Sequence, residues 1–317
     1  MIQIDFLKLF DTAIRNFGLP LIGIAVFLGL WQIASSHIDT SLGKFPGPVA
    51  VWEQAKGLSE EYRAEEQRKA EFYARQEKRN AALKLQNPAM KADLRPYSGA
   101  PTYPQQIATS LKTVFTGFIF AATIAIPFGI VVGLSASVYK AINPIIQLFK
   151  PVSPLAWLPL VTIVVSSVYV NVVDGMPKSY ITSAFTVMLC CLWPTVINTA
   201  VGVTSVSSDL VNVSKVLRLN YFRHIRYIVF PSAVPMIFTG LRLSLSTAWM
   251  VLIAAEMLSQ NPGLGKFVWD EFQNGNSNSL GRIMVAVITI GLIGYALDKG
   301  MLMLQQHFSW DKQSVVR

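Results

Sequence analysis

The stretch that decides the fold covers residues 208–256 and reads SDLVNVSKVLRLNYFRHIRYIVFPSAVPMIFTGLRLSLSTAWMVLIAAE. Its first half is polar and basic, which predicts a short amphipathic helix with a partner face and a basic face on the cytoplasmic side of a membrane. Its second half, from Pro231 onward, is too long and too apolar for a soluble surface and predicts a membrane span. In the first half the apolar residues Val213, Val216, Leu217 and Leu219 interleave with Lys215, Arg218, Arg223, His224 and Arg226.

The composition supports a membrane protein along the whole chain. Charged residues make up 14% of the 317 residues, whereas a soluble domain carries about 25%. The charges cluster in residues 1–16, 53–95 and 209–226 and in the C-terminal tail, with long uncharged runs between them. A large buried helical core would instead need charged helix faces. The net charge is +9, and the charged residues flank the apolar runs. We therefore expect contact with membrane lipid and not with nucleic acid.

Six spans are predicted, over residues 17–36, 113–139, 144–173, 179–201, 231–258 and 283–304. The third contains Pro151, Pro154 and Pro159, so it must bend or break. Freed backbone groups are tolerated at membrane depth only where protein or water covers them, so this segment is a candidate lining of a pathway. In the second span Gly117 and the pair Gly129 and Gly133 permit close contact between helices.

The segments around the spans complete the predicted organisation. Residues 1–16 form an interfacial helix, and residues 17–52 contain the first span, which is an anchor and not a cleaved signal peptide, and an outer Pro/Gly turn leading into a short helix. Residues 53–100 form a charged periplasmic insertion, predicted as a solvated helix and a breaker; it is either an exposed hairpin without chemistry or a surface that helps dock a soluble binding protein. Residues 101–305 form the core, with a loop at 204–228 and a polar outer loop at 259–281, and 306–317 form a cytoplasmic tail.

The distribution of basic residues predicts the orientation. Short outer loops hold few basic residues if both termini are cytoplasmic, so we expect a multi-pass protein of a bacterial inner membrane with this orientation. The basic residues on the inside would be Lys8, Arg15, Lys140, Lys215, Arg218, Arg223, Arg226, Lys312 and Arg317.

The sequence offers no basis for an enzyme. It contains no phosphate-binding GxxxxGK[ST] loop, no Ser/His/Asp set and no HExxH motif. Cys190 and Cys191 are adjacent in an apolar run, so neither a disulfide nor a metal site is expected from them. We therefore predict no catalytic residue, no cofactor and no metal.

The loop at 204–228 carries the spacing of a known family. Permease subunits of binding-protein-dependent ABC importers have the pattern Glu-Ala-Ala, three residues, Gly, nine residues, Ile-x-Leu-Pro. In this chain that spacing places Arg218 on the glycine, although the triplet and the glycine themselves are lost. The triplet falls on Asn212, Val213 and Ser214, and the end of the pattern falls on Ile228, Phe230 and Pro231.

The departures resemble one branch of that family, the nitrate/cyanate/bicarbonate importers, and most of all their nitrate permeases. The stretches VSPLAWLPL (152–160), LWPTVINTAVGV (192–203), TGLRL (239–243) and AAEML (254–258) are similar to the same branch, and the resemblance covers residues 17–55 and 101–305. It implies an all-α, six-span type I ABC importer permease with a cytoplasmic coupling helix, which moves a small inorganic anion, nitrate above all, into the cytoplasm.

The resemblance also implies partners. Two copies of the chain would form a homodimer around a central route, with two separate ATP-binding subunits below and a periplasmic or lipid-anchored solute-binding protein above. Residues 212–223 would dock into a groove on the ATP-binding subunit; the alternative is a helix that lies on lipid headgroups. The residues expected to carry the docking are Asn212, Ser214, Arg218, Leu219, Asn220 and Tyr221.

The predicted pathway centres on Arg242, about 16 Å past Pro231 along the fifth span. A charge at that depth costs at least about 2.5 kcal/mol unless it faces protein or water, and a guanidinium offers paired donors to a planar anion. The alternative is a structural arginine paired with a carbonyl or with an acid of a neighbouring helix. The pathway candidates are Arg242, Ser246, Trp249 and Glu256, which share one helical stripe with Ile253, and Trp157.

Two acidic residues complete the site predictions. Glu256 is expected to cap or gate the outer end of the fifth span, because it lies about 21 Å beyond Arg242. Asp298 is expected to form a solvated pair with its neighbour Lys299.

Three rival functions stay open at this point. One is the permease of a sulfonate-, taurine- or pyrimidine-type importer. Another is an ion-coupled secondary carrier with Glu256 and Asp298 as proton sites, which would work without ATP and should contain an internal repeat that the sequence does not reveal. The third is a membrane scaffold that transports nothing.

Overall fold

The fold is seen in a computed structural model that describes residues 18–40, 43–86, 95–170 and 176–308. The predicted helix at 1–16 lies outside the described residues, as does the tail beyond 308. The elements, in chain order, are α1 (Leu19–His37), β1 (Asp39–Thr40), β2 (Gly43–Lys44), α2 (Pro48–Gln86), α3 (Tyr103–Leu134), α4 (Ala136–Phe149), α5 (Pro154–Val168), α6 (Lys178–Thr204), α7 (Ser208–Val216), α8 (Tyr221–His224), a π-helix (Ile225–Val229), α9 (Phe230–Ser259), α10 (Leu264–Asn274) and α11 (Ser279–Phe308). The strands β1 and β2 form a small antiparallel pair.

The predicted all-α membrane fold is confirmed. Among the described residues five helices are long and apolar enough to cross a membrane, and a bent pair would make a sixth. The five are α1, α3, α6, α11 and the continuous helix Tyr221–Ser259, which contains α8, the π-helix and α9. The bent pair is α4 and α5, whose axes meet at 98°.

The predicted break in the third span is confirmed, whereas the predicted end of the second span is wrong. Pro151 and Pro154 lie where α4 ends and α5 begins, whereas Pro159 lies inside α5 without breaking it. The second span does not extend to residue 139, because α3 ends at Leu134. Ser135 separates the two helices, and its hydroxyl accepts a hydrogen bond from the backbone N–H of Val138 (3.4 Å) to begin α4.

The chain folds into two compact units. Among the described residues, one comprises residues 100–269 together with residues 288–308. In it α6 packs along both α3 and α9. The glycines of α3 allow this approach: a Cβ on Gly117 would lie 2.6 Å from the carbonyl oxygen of Ala184, and a Cβ on Gly129 would lie 2.6 Å from Cβ of Thr199. The predicted close contact at these glycines is confirmed.

The other unit contains the described residues from 18 to 99 together with residues 270–287. The predicted short helix after the Pro/Gly turn and the predicted charged helix are one element, because α2 runs unbroken over 39 residues. An extended segment returns along it, where the side chain of Gln76 bonds both the N–H and the C=O of Arg95 (3.1 and 2.9 Å). The Tyr97 hydroxyl donates to Glu65 (2.7 Å), and this bond raises the pKa of Tyr97.

An ion-pair cluster lies in the same unit. Arg282 donates to the carboxylate of Glu271 (2.8 Å) and to that of Glu61. The Ser279 hydroxyl donates to Glu271 (3.0 Å). The start of α11 is therefore held to α2 and to the end of α10 by charge-assisted bonds.

Candidate coupling surface and substrate pathway

The coupling segment is formed by α7, a four-residue break and α8. The hydroxyl of Ser207 accepts from the backbone N–H of Leu210 (3.4 Å) at the start of α7, and Asp209 in its first turn suits the positive end of the helix dipole. Asn220 begins α8, because its side chain accepts from the backbone N–H of Phe222 (2.9 Å). The structure interrupts the helix after Val216 and then continues it without a gap from Tyr221 to Ser259, so α8 passes directly into the span.

Arg218 lies within that break and has an unusual backbone conformation. Its φ is +46°, in the left-handed region, which glycine adopts without strain and arginine does not. This is the position where the family pattern has its glycine. A left-handed backbone conformation therefore occurs in this chain at the glycine position of the pattern, although the residue there is an arginine.

Four of the six predicted coupling residues line one cavity, whereas Asn212 and Asn220 are not part of its lining. Ser214 is buried, and its hydroxyl lies 2.8 Å from Nδ1 of His224, which joins α7 to α8. Asn212, Arg218 and Asn220 are exposed. The cavity has a volume of about 610 Å³ and is lined by Val211, Ser214, Lys215, Arg218, Leu219, Tyr221 and His224.

In the pathway, Arg242 of α9 is paired with Asp298 of α11. Nε donates to Oδ1 (2.5 Å) and Nη2 donates to Oδ2 (2.7 Å), which is a bidentate contact. The prediction that Asp298 pairs with Lys299 is therefore wrong, and the Lys299 ammonium lies over the ring of Tyr295 instead (5.6 Å). One edge of the guanidinium is occupied by a carboxylate, so the charge of Arg242 is balanced within the chain.

The other residues of the predicted stripe have different surroundings. Ser246 is exposed, whereas Trp249 is buried and its indole N–H donates to the carbonyl of Ile290 (2.9 Å). Residues that share one side of α9 therefore differ in exposure along the helix, because α3, α5 and α6 cover only parts of it.

Glu256 is enclosed in a network of neutral donors. Oε2 accepts from the hydroxyl of Ser110 (2.8 Å) and from the backbone N–H of Gly265 (3.1 Å), and Oε1 accepts from Nδ2 of Asn261 (3.3 Å). The side chain is 0% exposed. Because the network joins α3, the end of α9 and the start of α10, Glu256 fixes the connection between these helices. No sequence pattern indicated these partners, since Ser110 lies 146 positions away.

The broken span carries an aromatic cluster. The ring of Phe149 lies 5.7 Å from that of Trp157 and is stacked on that of Trp193 at 6.2 Å. Nε1 of both tryptophans is enclosed without a hydrogen-bond partner among the described residues. Indole N–H groups normally find an acceptor when buried, so the wall made by α4, α5 and α6 holds two unused donors. Trp157 was among the predicted pathway residues, whereas Trp193 was not.

Metal binding has no support in the residues that the structure describes. They contain no group of three or more His, Cys, Asp or Glu side chains placed to hold a metal ion. Cys190 and Cys191 are both free thiols, the second of them buried.

Comparison with known proteins gives these features a family. Residues 125–308 match the model of the binding-protein-dependent transport system inner membrane component. The chain belongs to this family. It is 33% identical over 288 residues to the nitrate import permease protein NrtB of Synechocystis, covering 90% of this chain and 87% of the relative. It is also 32% identical over 301 residues to the bicarbonate transport system permease protein CmpB of Synechococcus elongatus, covering 95% and 92%.

A solved structure supports the fold. An inward-facing form of the MetNI methionine ABC transporter matches with a TM-score of 0.57 and 12% identity, covering 65% of this chain and 95% of that chain. The predicted type I importer fold is thus confirmed. This ABC permease is a multi-pass, non-enzymatic protein of the inner membrane that works with ATP-binding subunits and a substrate-binding protein.

Proposed function

We propose that this permease carries a small trigonal oxyanion into the cytoplasm, nitrate first and bicarbonate second. The observation that carries the proposal is the similarity to permeases of both anions at 32–37% identity, over 87–92% of the relatives' length in the longest matches. Nitrate and bicarbonate share a planar arrangement of three oxygens and a single negative charge.

The transport unit is a homodimer with two ATP-binding subunits. Five or six spans are few for a pathway with two gates, so two copies would enclose it. Both termini lie in the cytoplasm, which puts the basic coupling segment on the side where ATP is hydrolysed. Rigid-body movement of the ATP-binding subunits then reaches the pathway through the continuous helix Tyr221–Ser259.

Within the pathway, the accessible candidates are the ones proposed to meet the anion. Ser246 is exposed, and the Arg242 side chain keeps 37% of its surface accessible beside Asp298. The indole N–H of Trp157 is enclosed, so this residue would form part of the pathway wall and would not donate to the anion directly. Trp249 and Glu256 act behind them by holding α9 in place.

Uptake by cells tests the proposal directly. Labelled nitrate, bicarbonate and taurine are supplied to cells with the chain, without it, and with it restored, each before and after ATP depletion. Deletion should remove ATP-dependent nitrate uptake, and the restored chain should return it. If deletion removes bicarbonate uptake and leaves nitrate uptake intact, the substrate is bicarbonate and the protein is still an ABC importer permease. Chain-dependent uptake that persists without ATP would overturn the proposal in favour of a secondary carrier.

A further inference from the structure

The cavity at the break between α7 and α8 has a basic lining. Two of its seven lining residues, Lys215 and Arg218, carry positive charge. None of the seven is acidic. The acid of α7, Asp209, lies in the first turn of that helix and is not part of the lining.

His224 adds a hydrogen-bond donor whichever charge it carries. Its Nδ1 lies 2.8 Å from the hydroxyl of buried Ser214. When that hydroxyl donates to Nδ1, the proton of the neutral ring sits on Nε2; in the charged ring Nε2 carries one as well. The cavity thus combines positive charge with N–H donors, which is the chemistry that binds a carboxylate.

Arg218 holds a position that its own backbone does not favour. A non-glycine residue with positive φ is strained, and the strained residues of a protein concentrate at functional sites. The side chain is exposed, so the strain does not serve packing inside the chain. A ligand outside the chain can compensate it, since a guanidinium at the rim of a cavity is placed to bind an anion.

We infer that this cavity receives an acidic side chain of the ATP-binding subunit, so that the permease is the basic partner of the contact. The inference rests on the proposed function, which places the ATP-binding subunit at this segment. In the family pattern the triplet begins with an acidic residue, whereas here that position is the neutral Asn212 and the glycine position is the cationic Arg218. Charge complementarity then requires acidic residues on the partner's groove.

The lining of the site favours a protein side chain over a lipid headgroup. Apolar Val211 and Leu219 line it together with the basic residues. A bilayer meets a helix along a face on which apolar and basic residues are separated. A protruding side chain of a folded partner fits a cavity in which they are mixed.

Affinity measurements with matched variants test the inference. The permease is placed in phosphatidylcholine nanodiscs, and the ATP-binding subunit that co-purifies with the tagged wild-type permease is titrated in at 50 and 300 mM salt. Arg218→Glu should weaken binding by about tenfold or more and abolish most of its salt dependence. Arg226→Glu is the control. Arg226 is exposed and lies outside the cavity lining, so its substitution makes the same charge change at another place and should change the affinity less than twofold.

A second variant separates folding from binding. Arg218→Gly removes the charge and relieves the positive φ, so the permease should melt about 2 °C higher while binding several-fold more weakly. Equal binding by wild type and Arg218→Glu, or equal losses in Arg218→Glu and Arg226→Glu, would overturn the inference. So would a loss that occurs only in nanodiscs with added phosphatidylglycerol. Failure of any ATP-binding subunit to co-purify with the wild type would instead overturn the proposed function.

Discussion

Arg242 and Asp298 are ionisable residues of opposite charge in two different spans, and the structure brings them together. The sequence identified both as intramembrane residues and left an acid of a neighbouring helix open as the partner of Arg242. It could not select Asp298, because 56 residues separate the two and their meeting depends on how α9 and α11 pack. A solvated pair between Asp298 and the adjacent Lys299 was the simpler local interpretation, and it was wrong.

A double-mutant cycle tests this ion pair. Asp298→Asn should destabilise the permease in detergent by about 1–2 kcal/mol, because it leaves the guanidinium without its counter-charge, and Arg242→Gln should cost a similar amount. The double variant should recover at least half of the summed loss. The measurement is equilibrium unfolding in mixed micelles. Strictly additive losses would contradict the pairing.

At the scale of elements, the glycines of α3 were predictable from sequence alone, and their partners were not. Small residues spaced by four positions on a span indicate a close helix contact. Which helix approaches depends on tertiary packing, and here it is α6, whose Val196 and Thr199 face Gly129. The length of α2 was mispredicted for a different reason. The Pro/Gly turn ends before Pro48, and a proline is tolerated in the first turn of a helix, so one helix begins there.

Gly129→Ala tests the contact between α3 and α6. The new Cβ would lie 2.6 Å from Cβ of Thr199 and 2.8 Å from the carbonyl oxygen of Val196, which is backbone and cannot rotate away. We expect a loss of about 1–3 kcal/mol of stability from overpacking.

Gly291→Ala is the matched control for this substitution. It is the same change in another spanning helix, where a Cβ would meet nothing within 4 Å. It should be neutral or slightly stabilising, since alanine favours helix over glycine. If Gly129→Ala were as stable as Gly291→Ala in the same thermal assay, the close packing of α3 on α6 would be refuted.

At the scale of the whole molecule, the six predicted spans compare with five spanning helices among the described residues, or six if the bent pair α4 and α5 is one span. Composition and periodicity were sufficient for a membrane protein and for the broken third span. They were insufficient for the side-chain network around Glu256 and for the unused donors of Trp157 and Trp193. The reason is physical. Hydrophobic length is a local property of the chain, whereas hydrogen-bond partners within a bundle are fixed by the rotation of each helix about its axis.

Orientation in the membrane is a whole-molecule property that labelling can test. In a variant with serine at positions 190 and 191, single cysteines are introduced by Met176→Cys, between α5 and α6, or by Val216→Cys, at the end of α7; both sites are exposed. An impermeant maleimide should label Met176→Cys in cells with a permeabilised outer membrane and should label Val216→Cys only after lysis. We expect this sidedness because four basic residues near Val216 favour the cytoplasmic side, namely Lys215, Arg218, Arg223 and Arg226. Labelling of Val216→Cys before lysis would invert the orientation and place the basic cavity out of reach of any ATP-binding subunit.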